Sequence, residues 1–110
     1  MTQLEFIEQI IKEKEAVILD ANDKIWSYAE LPYEETRSSA LLCSILESEG
    51  FTVETGVAEI PTAFVARYVV GTGKPVMGIL GEFDALATLS QKAGCTVKDP
   101  VQNGGSGHGC

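Results

Sequence analysis

The sequence predicts an α/β protein in which two N-terminal helices pack on a mixed sheet. Three observations carry this expectation. Apolar residues recur at helical spacing from Leu4 to Ile25, a second helical stripe runs up to Gly50, and runs of β-branched and aromatic residues follow. The 110 residues suit one domain, and 45% hydrophobic content is enough for a modest core.

In the first helix Thr2 and Glu5 have the spacing of a capping box, and Leu4, Ile7, Ile11, Ile18 and Ile25 mark one apolar face. Lys12, Glu13, Lys14 and Glu15 lie toward the solvated side. Pro32 disfavours helical backbone at Leu31, so the helix is expected to end near Glu30. The second helix is expected to start at Tyr33 or Glu34, with acidic groups in its first turn where the dipole favours them. It should stop where Gly50 can turn left-handed. Leu41, Leu42, Ile45 and Leu46 form its buried stripe, and Cys43 reads as a small apolar core group.

Strands are expected over Phe51 to Glu54, Ala63 to Val70 and Val76 to Phe83. Gly71-Thr72-Gly73-Lys74-Pro75 suits a hairpin between the second and third strands. Val76-Met77-Gly78-Ile79-Leu80-Gly81 is apolar on both faces, which predicts a central strand covered on each side. Beyond Ala87 the periodicity is lost, and residues 92–109 read as a long glycine-rich loop of the kind that is either functional or disordered.

A formal net charge of −8 opposes binding to nucleic acid or an anionic membrane surface. The longest apolar run, Val76 to Leu80, is far short of the roughly 20 residues that cross a bilayer, and no basic segment precedes an apolar one at the N-terminus. Three cysteines, Cys43, Cys95 and Cys110, suit a reducing compartment better than a disulfide framework. The expected location is the cytoplasm.

Two places could carry chemistry. Glu82 and Asp84 stand where the apolar strand runs out, and alternation would put both carboxylates on one face. Such a pair either serves a cation or a cleft, or is simply hydrated where the strand surfaces. His108 and Cys110, two apart at the end of the glycine-rich loop, could be neighbouring ligands of a borderline or soft ion such as zinc, or part of a flexible tail. The glycine run lacks the spacing of a phosphate loop. With His108 the one histidine, no Ser/His/Asp arrangement can be built.

The stretches Tyr28-Ala29-Glu30-Leu31, Gly50-Phe51-Thr52-Val53-Glu54, Pro61-Thr62-Ala63-Phe64-Val65-Ala66, Gly78-Ile79-Leu80-Gly81-Glu82-Phe83-Asp84-Ala85-Leu86 and Gly107-His108-Gly109-Cys110 together resemble the N-terminal part of M20 family metallo-amidohydrolases. The branch is that of aminobenzoyl-glutamate hydrolases and aminoacylase-like enzymes. The resemblance covers nearly the whole chain. It implies that residues 1–110 are the start of a zinc-dependent exopeptidase-type catalytic domain, ending within the metal-binding motif. The implied reaction is hydrolysis of an amide or peptide bond in a small N-acyl amino acid, aminobenzoyl conjugate or dipeptide. Two divalent ions, zinc or manganese, would activate a bridging water. By that resemblance Cys110 matches a metal ligand, and Asp84 and Glu82 are the candidate catalytic residues. Asp84 matches the aspartate of a His-x-Asp motif that orients a metal-binding histidine, a histidine position held here by Glu82. His108 matches a motif histidine that is not itself a ligand. Ala87 and Ser106 depart from the family pattern without touching chemistry. The pattern continues beyond Cys110 with Gly-His-Asn, the general-base glutamate, further ligands and a second domain, so this piece is expected to be inactive by itself. A homo-oligomer is compatible with the resemblance. The alternative expectation is a non-catalytic module that docks on another subunit through an exposed sheet edge.

Overall fold

The computed structural model describes residues 1–110. Helix α1 spans Gln3–Tyr28, and its N-terminus is closed by the expected box. Glu5 N–H donates to Thr2 Oγ1 at 3.2 Å, and Thr2 N–H donates to Glu5 Oε2 at 2.7 Å. The helix stops just short of Glu30. Ala29 takes a left-handed conformation, φ 47°, and its N–H reaches Ile25 O at 3.2 Å. An alanine there carries strain of about 1 kcal/mol.

Helix α2 spans Thr36–Ser48 and starts later than the acidic residues suggested. Tyr33, at φ 65°, sits in a turn closed by Glu34 N–H to Leu31 O at 2.9 Å, which no helix can include. At the other end Gly50 adopts φ 94°, with its N–H on Glu47 O at 3.0 Å and Phe51 N–H on Leu46 O at 3.0 Å. This is a Schellman closure, and a positive φ is the reason glycine stands there.

Strands β1, Thr52–Thr55, and β2, Phe64–Arg67, pair antiparallel in the register Thr52 with Arg67 through Thr55 with Phe64. Arg67 Nη1 donates to Glu54 Oε2 across the pair at 3.0 Å. Helix α2 packs against α1 on one side and against both strands on the other. The α/β arrangement of two helices on a sheet therefore holds, with a two-stranded antiparallel sheet in place of a mixed one.

The third strand and its hairpin are not formed. Residues 76–83 pair with nothing, and Val76, Ile79 and Leu80 are 93%, 99% and 91% exposed. A strand apolar on both faces needs cover on both, and this chain supplies one helical layer for two strands. The core is correspondingly thin, with Ala21, Cys43 and Ala85 as its buried apolar residues. The stripe Leu41, Leu42, Ile45 and Leu46 is half-buried around Cys43. The radius of gyration, 16.7 Å, exceeds the roughly 13 Å of a compact domain this long. No helix is long and apolar enough to cross a membrane.

Candidate functional site

The corner between the helices organises everything downstream of it. Glu30 leaves α1 and turns its carboxylate onto the start of α2. Oε1 accepts from Ser38 N at 2.7 Å and Ser38 Oγ at 2.8 Å, while Oε2 accepts from Arg37 N at 3.0 Å. The side chain is 8% exposed, and it replaces the local cap that Glu35 does not provide. Burial alone would raise the Glu30 pKa, but the Ser38 and Arg37 donors outweigh it and hold the group below the usual carboxylate range. Arg37 also lies over the Tyr28 ring, 4.5 Å from its centroid.

The main chain at this corner receives both candidate segments. Ala85, fully buried and adjacent to Asp84, donates its N–H to Glu30 O at 2.7 Å. Ser106 Oγ donates to Ala29 O at 2.7 Å, and His108 Nε2 lies 3.2 Å from Ile25 O. A carbonyl only accepts, so His108 carries its proton on Nε2. Ala29 O is a carbonyl that the end of α1 leaves without a helical partner, whereas Ile25 O already accepts from Ala29 N–H. The His108 ring also lies against Trp26, centroids 6.0 Å apart.

Residues 105–109 run back along 86–90. Leu86 and Gly107 exchange hydrogen bonds at 2.9 and 3.0 Å, Ser90 N–H donates to Gly105 O at 3.0 Å, and Gly109 N–H donates to Leu89 O at 2.9 Å. The approach is so close that a Cβ on Gly107 would lie 2.4 Å from Leu89 O, and one on Gly109 would lie 2.5 Å from the same oxygen. Steric fit against another backbone is what the glycines around His108 provide. The intervening loop is held by Gln91, which donates to Val97 O at 2.7 Å and accepts from Asp99 N at 2.9 Å.

The predicted site residues fall into two groups. Cys110 is exposed and shares with His108 an open cleft of about 510 Å³, bordered also by Trp26, Leu89, Cys95 and Val97. Asp84 is half-buried and Glu82 exposed, and neither borders that cleft. Because the strand is unformed, the alternation that would align the two carboxylates does not operate. The segments themselves are adjacent through the Leu86–Gly107 pair, but no three His, Cys, Asp or Glu side chains converge. One thiolate is short of the three protein ligands that a catalytic ion takes, so the residues of this chain do not fit a complete metal site. Sequence reading missed Glu30 as the cap of α2 and Ser106 as a clasp. The signal for Glu30 lay in Ser38 and Ser39, polar residues on the inward side of a helix whose own N-cap has no side-chain hydrogen bond.

No known family profile and no solved structure matches the chain. Among curated proteins it is 48% identical, over 105 residues and 96% of its own length, to one subunit of the p-aminobenzoyl-glutamate hydrolase of Escherichia coli (strain K12). Over that stretch the chain is similar to part of that hydrolase subunit. The resemblance seen in the motifs is thereby borne out, and it is consistent with the N-terminal part of an M20-type hydrolase. The chain spans 21% of this relative's length.

Proposed function

We propose that this chain is part of a metal-dependent hydrolase that cleaves the amide bond of aminobenzoyl or other N-acyl amino acids, and that alone it does not turn over. Identity of 48% across 96% of the chain supports the first statement. The donor set supports the second. In this reading Cys110 is one ligand to a pair of divalent ions, zinc or manganese, which would supply an activated water and a polarised carbonyl. Asp84 sits beside that ligand's segment as an orienting carboxylate, with Glu82 next to it. The remaining ligands and the general base come from residues outside this chain. Three unpaired cysteines fit a cytoplasmic parent, and the word subunit in the relative's name fits an oligomeric one.

The test is glutamate release from p-aminobenzoyl-glutamate with added zinc or manganese, together with equilibrium dialysis of either metal. We expect no turnover and no binding tighter than micromolar by the isolated chain. Turnover would refute the inactivity, and a tightly held ion would refute the one-ligand assignment. A second reading, a non-catalytic docking module, is favoured by one observation: the apolar segment Val76 to Leu80 is almost fully exposed, in a chain whose two-stranded sheet also has unpaired edges.

A further inference from the structure

The cleft bordered by Cys110 differs in charge from the chain as a whole. There are 16 acidic residues and a net charge of −8, yet no aspartate or glutamate lines this cleft. Its charged wall residue is Lys98, which takes no part in the five ion pairs of the structure. The aromatic wall is Trp26 and His108, with ring centroids 6.0 Å apart and planes tilted by 34°. Both rings are held: Trp26 belongs to α1, and His108 Nε2 donates to Ile25 O at 3.2 Å. Leu89 and Val97 add apolar surface. Fixed rings, apolar flanks and one free cation suit a flat anionic molecule, because little further ordering of the wall is needed when it binds.

We infer that this cleft binds an aromatic N-acyl amino acid, with the aryl ring against Trp26 and His108 and the carboxylate toward Lys98. For the class of ligand this rests on the functional reading above, while the place rests on the wall itself. The volume of about 510 Å³ lies within the range of small-molecule sites, roughly 300–1,000 Å³. The wall selects an anion, since a cation would meet Lys98 and no carboxylate. The two rings select an aromatic acyl group over an aliphatic one, through stacking and the larger apolar area covered. Cys110 borders the same cleft, so the seated molecule lies next to the sulfur that the functional reading makes a metal ligand. Recognition of the acyl group is then a property of this chain, separate from turnover.

The probe is hippurate, a benzoyl ring joined through an amide to a carboxylate, titrated into the metal-free chain. Two exposed thiols on the cleft wall, Cys95 and Cys110, report where it binds, and buried Cys43 is the internal reference. Mass spectrometry after alkylation should show both exposed thiols slowed together, with half the effect at a concentration on the order of 1 mM. Trp26 emission should shift over the same range. N-acetylglycine, which lacks the ring, should bind at least about tenfold more weakly. Lys98→Glu should weaken hippurate about fivefold and leave its neutral amide, hippuramide, unaffected. Melting of this variant should be unchanged, because Lys98 is exposed and unpaired. Unaltered alkylation at high hippurate, slowing without a Trp26 response, or N-acetylglycine binding as well as hippurate overturns the proposal. So does Lys98→Glu if it weakens the acid and the amide alike, or neither. These readouts involve no metal and no turnover, so the two readings fail separately. Absent hippurate binding removes the cleft assignment and leaves the hydrolase reading on its 48% identity. A chimera with this chain in place of the matching part of the E. coli relative that binds hippurate but does not cleave p-aminobenzoyl-glutamate removes the hydrolase reading and leaves the cleft.

Discussion

Replacing Gly107 by alanine should release the whole C-terminal segment from the body of the protein. The new methyl carbon would lie 2.4 Å from Leu89 O, 2.5 Å from Ser90 Cα and 2.8 Å from Leu89 C. All three are backbone atoms, so no side chain can rotate away. The two segments must separate, and the hydrogen bonds at risk are the Leu86–Gly107 pair, Gly109 to Leu89 and Ser106 to Ala29. Each contributes about 1 kcal/mol net. Partial relaxation saves some of them, so a loss of about 3 kcal/mol is reasonable, in line with overpacking elsewhere. That lowers the docked-to-free ratio of the segment roughly a hundredfold. Trp26, the single tryptophan, reports this directly because the His108 ring lies 6.0 Å from it. Its emission should shift as His108 leaves, and the Leu86 and Gly109 amides should lose protection. Two controls separate sterics from backbone preference. Gly104→Ala meets nothing within 4 Å but sits at φ 74°, so it should cost only about 1 kcal/mol. Gly78→Ala has neither problem and should be neutral. If Gly107→Ala leaves Trp26 emission and amide exchange like those of Gly78→Ala, close backbone approach is not what holds the segment.

Two further outcomes follow from the other groups described. Glu30→Gln should destabilise the chain by about 2 kcal/mol at neutral pH, because the start of α2 and Ser38 lose a charged acceptor. The Glu30 carboxyl is held below its unfolded value, so its contribution is complete above about pH 4.3 and is lost as pH falls through the lower folded value. Urea midpoints of the two proteins should therefore converge in acid, and a constant gap would refute the assignment. For the thiols, burial first and Glu47 after it push the Cys43 pKa up against a lowering hydrogen bond from Ser39. Mass spectrometry after mild alkylation should find Cys95 and Cys110 modified and Cys43 protected, and equal labelling of all three would contradict the packing of α2.

Much of the architecture was legible because it is local. The capping box at Thr2 and Glu5 and the left-handed closure at Gly50 each involve residues within five positions of one another. The two paired strands likewise announced themselves by composition, although β2 is shorter than its apolar run. Val76 to Leu80 is the informative failure. Its composition is that of an inner strand, but a strand is a property of its neighbours, and composition cannot say whether they are present.

Of the candidate site, the residue types could be read from the chain, and the overall resemblance agrees with the similarity to the E. coli subunit. The clasp that brings residues 84–86 and 105–110 together could not be read. It depends on Glu30 O meeting Ala85, on Ser106 meeting Ala29 across 77 positions, and on backbone approaching backbone at Gly107. Sequence alone determined the start of α1, the close of α2 at Gly50, the chemistry available and the resemblance, because those follow from short-range geometry and side-chain identity. Only tertiary structure decided which apolar residues are covered and which donors share a space, because burial and convergence depend on contacts between segments far apart along the chain.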